Sequence, residues 1–112
     1  MTLVRLEIAD EDELRSLDEW LSGEEALRGR VTLVVQPPAP GAMGSPVDAL
    51  LVALGQAAES DALARSLEIW LRLRGPEVKI MVRVGDQVAE LSASDNVDVT
   101  ALLRLAVQAV GG

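Results

Sequence analysis

The chain has 112 residues, 49% of them hydrophobic, and this length and composition fit one globular domain spanning residues 1–112. It contains no cysteine and no histidine, which excludes disulfides, thiolate nucleophiles, zinc–thiolate sites and histidine general bases. The formal net charge of −8 disfavours nucleic acid as a partner, because an acidic protein repels a phosphate backbone.

No segment of the sequence predicts membrane insertion. The longest apolar run, Val47 to Ala58, includes Asp48 and is shorter than the roughly 20 residues that a spanning helix needs. The first residues place Arg5 and Glu7 inside their apolar stretch, unlike a secretory signal. We therefore expect a cytoplasmic protein with no membrane span.

The charges are unevenly placed along the chain. Residues 1–25 contain nine acidic residues against Arg5 and Arg15, whereas residues 65–83 contain five basic residues against Glu68 and Glu77. This polarity could favour contact between copies or docking of a charged partner. The simpler interpretation is a solvated surface that serves solubility.

The first elements predicted are a strand and a helix. Apolar residues alternate from Leu3 to Ile8, which indicates a half-buried strand. Asp10 then begins a helix, and Glu13 three residues later matches a capping box. Gly23 is a natural end for this helix. The predicted inward residues are Val4, Leu6 and Ile8 in the strand and Leu14, Leu17 and Leu21 in the helix, with Trp20 beside them.

Residues 30–35, "RVTLVV", predict a central strand covered on both faces, because they are apolar at nearly every position. A right-handed parallel crossover through the first helix is the economical connection to the first strand. We accordingly expect Val31, Leu33 and Val35 in the central layer. The "QPPAPGAMG" stretch follows, where proline cannot continue a central ladder.

The middle of the chain predicts helical structure from Pro46, with Ser45 as its N-cap and Asp48 reaching back to it. Two apolar stripes then point in nearly opposite directions on a straight helix. The stripes are Val47, Leu50, Leu51, Leu54 and Ala58, followed by Leu63, Leu67, Trp70 and Leu71. Either one long helix buries opposite faces, or the helix breaks near residues 55–61. We favour two helices, the second ending at Gly75–Pro76.

The last third predicts a hairpin and a closing helix. Residues 77–84 alternate as a strand, Gly85–Asp86 form a two-residue turn, and residues 87–92 return as a second strand. A helix capped near Asp98 and ended by Gly111 closes the chain. The predicted fold class is therefore α+β, a four-stranded mixed sheet packed with three to four helices in the order β-α-β-α(α)-β-β-α.

Candidate chemical sites are few, and each has a simpler structural explanation. Lys79, the only lysine, falls on the polar side of a strand, where a solvated lysine is expected rather than a desolvated base. The acidic run from Asp10 to Glu13 suits a helix start better than a calcium loop. No Lys or Arg lies between Val31 and Gln56 to bind a phosphate at the glycine-containing loop. We expect no catalytic, metal-binding or cofactor-binding residues.

The proline-rich loop remains as a candidate for partner binding. Proline orders a segment in advance, and methionine offers an adaptable apolar contact. A structural stop between two elements is the alternative explanation. The candidate partner-binding residues are Pro37, Pro38, Pro40, Gly41, Met43 and Gly44, together with Trp70.

Two long stretches, "LRGRVTLVVQPPAPGAMGSPVDALLVALG" and "ALARSLEIWLRLRGPEVKIMV", resemble the effector-associated constant component 1 family. These are small domains, mostly actinobacterial, found beside variable effector genes in predicted biological-conflict systems. The specific part of the resemblance is "PPAPGAMG" in register with both flanks, whereas "QAAESDA" departs from the glycine-rich break expected there. The matching positions are Leu27, Arg28, Gly29, Pro37, Pro38, Ala39, Pro40, Gly41, Met43, Gly44, Trp70 and Leu71.

The resemblance implies a non-catalytic component that stays constant while its partner effectors, often caspase-like or trypsin-like peptidases, vary. It leads us to expect an adaptor or regulatory module that binds an effector or its sensor through residues 36–45 and an adjacent helix face. A structural homo-oligomerisation module and a small enzyme that uses carboxylates alone are the alternatives.

Overall fold

The computed structural model describes residues 2–35, 40–41 and 47–93. Its five strands form one sheet in the order β2-β3-β1-β4-β5, and every neighbouring pair is antiparallel. The elements are β1 (Thr2–Glu7), α1 (Glu11–Ser22), a short 3-10 helix (Glu25–Leu27), β2 (Val31–Val35), β3 (Val47–Leu54), α2 (Ala57–Arg74), β4 (Lys79–Val84) and β5 (Gln87–Ser92). The α+β class is confirmed. The predicted four-stranded mixed sheet is wrong, and the described ranges hold two α-helices rather than three or four.

The segment predicted to start a helix at Pro46 is instead strand β3, Val47–Leu54, which lies between β2 and β1. Leu50, Val52 and Leu54 are fully buried on the inward face. The run is apolar at nearly every position, and Leu51 and Ala53 on its other face are partly buried. Such a run satisfies helical and strand spacing alike. The predicted Ser45 cap, together with Pro46, lies outside the described residues.

Strand β2 lies at the edge of the described sheet and not in its centre, so the prediction for Val31, Leu33 and Val35 is wrong. Val31 and Leu33 are only partly buried against the core, and Val35 is 46% exposed. β1 and β2 point in the same direction, since each pairs antiparallel with β3 between them. The connection through α1 therefore passes over β3 instead of joining paired parallel strands.

The second half of the middle segment is one helix, α2, which begins after Gln56 and ends at Gly75 as predicted. Its stripe of Leu63, Leu67, Trp70 and Leu71 is buried in the core. The two apolar stripes point in opposite directions only on a single straight helix, and the first stripe belongs to strand β3 instead.

Both helices pack on one face of the sheet, where the inward residues of α1 match those predicted. The β4–β5 hairpin also forms as predicted, with Gly85 at φ 58° in the turn and Val84 opposite Gln87. Within the described ranges, no helix is both long and apolar enough to cross a membrane. The closing helix predicted from Asp98 to Gly111 lies outside the described residues.

Candidate functional site

The proline-rich loop connects strand β2 to strand β3. Just before the loop, between Val34 and Val35 of β2, the pairing of the two strands shifts in register. Two of its candidate residues, Pro40 and Gly41, are described, and both are exposed in a turn. Gly41 has φ 84°, a backbone conformation that strains any residue with a side chain. Pro37, Pro38, Met43 and Gly44 lie outside the described residues.

Trp70, the remaining candidate, is only 2% exposed and belongs to the core. It lines a groove between the two helices rather than a surface shared with Pro40 or Gly41. This interhelix groove has a volume of about 390 Å³. Its walls are formed by Ser16, Glu19 and Trp20 of α1 and by Trp70, Leu73 and Arg74 of α2.

An ion pair between Arg74 and Glu13 lies at one end of the interhelix groove. Arg74 donates two hydrogen bonds to Glu13, from Nε at 2.7 Å and from an outer nitrogen at 2.6 Å, and its guanidinium lies 5.5 Å from the centre of the Trp70 ring. The hydrogen bond to Glu13 raises the pKa of Arg74 above its ordinary value. Glu13 was assigned to a capping box; Asp10 does cap α1, but Glu13 binds Arg74.

Toward the other end of the groove, Trp20 fixes α1 against α2. Its indole Nε1 donates to the backbone oxygen of Ser66 at 3.0 Å, and the Ser66 hydroxyl donates to Glu24 at 3.3 Å. The start of α1 thus lies beside the end of α2, and its end lies beside the middle of α2. The two helices therefore run antiparallel.

A second polar cluster, centred on Glu59, joins the residue before β2, the residue after β3 and the start of α2. Glu59 accepts hydrogen bonds from the backbone of Gly55 at 2.6 Å and Gln56 at 2.9 Å, and Arg30 lies 2.6 Å from its second oxygen. Gln56 and Glu59 form the capping box of α2. The spacing of these two residues could have predicted the start of α2, had the helix not been placed from Pro46 onward. Since both carboxylate oxygens are engaged, this cluster positions β2, β3 and α2.

The sequence predicted neither the interhelix groove nor its exposed apolar rim. Trp20 was placed beside the buried stripe of α1, yet it is 39% exposed, and Leu73 is 68% exposed. Helical spacing alone does not show which residues of two helices far apart in sequence become neighbours. Among the described residues, no group of three or more potential ligating side chains could hold a metal ion.

Comparison with known proteins places the chain in a family. No curated protein and no solved structure gives a significant match. The sequence model of the Effector Associated Constant Component 1 family matches residues 7–110, a range that begins in β1 and includes all the described elements after it. This match confirms the resemblance carried by the loop and its flanks. The protein belongs to the Effector Associated Constant Component 1 family.

Proposed function

We propose that this protein is a non-catalytic adaptor or regulatory component of a bacterial conflict system, and that it acts in the cytoplasm by binding an effector protein or its sensor. The observation that carries the proposal is the family match over residues 7–110, since the family is named for its association with effectors. The constant component supplies a fixed docking surface, and effectors such as caspase-like or trypsin-like peptidases vary around it.

The proposed docking edge is the loop between β2 and β3. It leaves the sheet at an edge strand, and its described turn at Pro40 and Gly41 is exposed to a partner. Ordering a loop on binding costs about 1–2 kcal/mol of backbone entropy per residue, so a loop stiffened by proline binds with less of that cost. The residues assigned to this edge are Pro37, Pro38, Pro40, Gly41, Met43 and Gly44.

Trp70 enters this proposal through the interhelix groove, because its buried ring forms one wall there. A substitution at Trp70 would disturb the core as well as the groove. The exposed Trp20 on the opposite wall is the better residue for testing the adjacent helix face.

The experiment is co-expression of the protein with the product of the neighbouring effector gene, followed by co-purification. Met43→Ala and Pro40→Ser are compared with the unchanged protein, and thermal stability is measured for each. Binding that is lost while stability is kept supports the docking edge. If binding fails only where the fold fails, the loop is scaffold, and if the unchanged protein captures no effector, the proposed function is wrong.

A further inference from the structure

The strip beside the interhelix groove exposes three large apolar side chains. Trp20 is 39% exposed, Ile69 41% and Leu73 68%. Ile69 and Leu73 are four residues apart on α2 and so lie on one face. Trp20 reaches the same part of α2 through its bond to Ser66, three residues before Ile69. These residues, Trp20, Ile69 and Leu73, are called the apolar strip.

An acidic rim borders the apolar strip on the α1 side. Glu19 lines the groove and is exposed, and Asp12, also exposed, lies seven residues earlier on the same helix. Seven residues are two turns, so both carboxylates lie on one face, about 10.5 Å apart along the axis. The exposed Arg15, which pairs with Glu11, lies between them, so the acidic rim has acidic ends and a basic middle.

A basic rim borders the strip on the α2 side. Arg65 and Arg72 are exposed, and they lie four residues before and three residues after Ile69. They are also seven residues apart, so their spacing along α2 equals that of the two carboxylates along α1. The exposed Glu68 lies between them, so the basic rim has basic ends and an acidic middle, the reverse of the acidic rim.

The acidic and basic rims lie at similar heights along the helix axes. Asp12 is next to Glu13, which binds Arg74, and Arg72 is two residues before Arg74. Glu19 is next to Trp20, which binds Ser66, and Arg65 is next to Ser66. Because the helices run in opposite directions, these offsets add. Asp12 therefore lies about 4.5 Å from the level of Arg72 along the axis, and Glu19 about 3 Å from the level of Arg65, in each case less than one helical turn.

We infer that this face docks a second copy of the chain across a two-fold axis parallel to the helices. Such an axis places α1 of one copy over α2 of the other without changing the level of any residue. Asp12 and Glu19 then meet Arg72 and Arg65 of the second copy, and the apolar strips pack on each other. A two-fold axis across the helices would set the acidic rim against itself, which like charges oppose.

The expected dimer is weak. Two adjacent helices of about 10 Å diameter, overlapping along the roughly 18 Å of α1, present a face of only about 400 Å² per copy. Stable interfaces bury about 800 Å² per partner. We therefore expect dissociation in the micromolar range or weaker, and further weakening by salt, since the rims are exposed.

Sedimentation across a wide concentration range gives the first test. Dimerisation that rises with concentration and falls with salt is expected of the unchanged chain. A chain that stays monomeric at every concentration overturns the inference. The turn at Pro40 and Gly41 is not part of this face, although Trp20 belongs both to the apolar strip and to the groove wall. A chain that stays monomeric but captures the effector overturns only this inference, and a chain that dimerises but captures no effector overturns only the proposed function.

A charge exchange between rims gives the sharper test. In a homodimer of the variant Asp12→Arg/Glu19→Arg, the new arginines of each copy lie against the basic rim of the other copy and are repelled. In a homodimer of Arg65→Glu/Arg72→Glu, the new glutamates lie against the acidic rim of the other copy and are likewise repelled. Each variant alone is expected to be monomeric, whereas an equimolar mixture restores a heterodimer because every pair across the axis is again opposite in charge. Homodimers of either variant, or a mixture that stays monomeric, contradict the arrangement.

The apolar strip is tested with a matched pair of substitutions. Leu73→Glu is expected to weaken dimerisation by more than about tenfold, as the loss of a central interface residue does. Val88→Glu is the control, because Val88 is 54% exposed on β5, away from the helices. Equal effects of the two substitutions would show that the strip is not the interface.

Discussion

Glu59 is the residue whose loss should cost the fold most among the charged side chains described. Its removal leaves the backbone nitrogens of Gly55 and Gln56 and the guanidinium of Arg30 without their acceptor. Breaking a partly buried ion pair together with its hydrogen bonds typically costs about 2–4 kcal/mol, so we expect Glu59→Ala to lose about that much unfolding free energy. Urea denaturation measures it. Glu68→Ala, an exposed change on the same helix, should stay within about 0.5 kcal/mol of the unchanged protein.

The raised pKa of Arg74 makes a prediction about alkaline pH. A group whose pKa is higher in the folded state contributes stability below its unfolded pKa and loses it as pH rises through the folded value. Since its hydrogen bond to Glu13 raises the pKa of Arg74, this contribution should persist throughout the alkaline range in which proteins are normally studied.

The matched variant is Arg74→Lys, which keeps the positive charge but loses both the bidentate hydrogen bonding to Glu13 and the high pKa of arginine. Thermal unfolding of the two proteins is compared as pH is raised. The gap between their melting temperatures should widen above about pH 10, where lysine loses its proton. A constant gap would mean that Arg74 contributes through packing on Trp70 rather than through its charge.

Among the elements, the β4–β5 hairpin depends on its turn. Gly85 has φ 58°, and no neighbouring atom lies within 4 Å of an added Cβ, so Gly85→Ala costs only backbone strain. We expect a loss of about 1–2 kcal/mol in unfolding free energy. Gly23→Ala is the control, because Gly23 ends α1 with φ −78° and an added Cβ would make ordinary contacts. Equal losses at both positions would contradict the turn geometry.

Elements whose two faces differ in hydrophobicity could be predicted from the sequence, and elements that are apolar on both faces could not. β1 and β4 alternate between more and less buried positions, and this alternation predicted their bounds to within two residues. The bounds of β5 follow from the turn at Gly85. β3 carries apolar residues on both faces, although Leu51 and Ala53 on its outward face are only partly buried. Its spacing therefore fits a helix equally well. β2 looked central because an apolar run was taken as a sign of two covered faces.

The candidate site follows the same division. The loop could be singled out from local composition, since prolines and glycines act on their own segment. The interhelix groove depends on Trp20 meeting Ser66 and on Glu13 meeting Arg74, contacts between residues far apart in the chain. Glu13 fits a capping box as well as a distant arginine. Only the placement of both helices on one face of the sheet decides between these roles.

At the scale of the whole molecule, the strand order predicts a gradient of stability across the sheet. β1 pairs on both sides, with β3 and β4, whereas β2 and β5 each pair on one side in the described sheet. Amides of doubly paired core strands exchange hydrogen only through near-global unfolding, and edge amides also exchange through local opening.

Hydrogen exchange followed by NMR or mass spectrometry should therefore find the slowest amides in β1, at Val4 and Leu6, and at Val52 in β3. Faster exchange is expected at Val31 to Val35 in β2, even though the sequence of β2 is more continuously apolar than that of β1. If β2 exchanges as slowly as β1, its outer edge is covered in solution, and repeating the measurement at low concentration separates cover by a second copy from cover by the chain itself. A second copy dissociates from the edge on dilution, so the β2 amides would then exchange faster. If the chain itself covers the edge, dilution would leave their exchange rates unchanged.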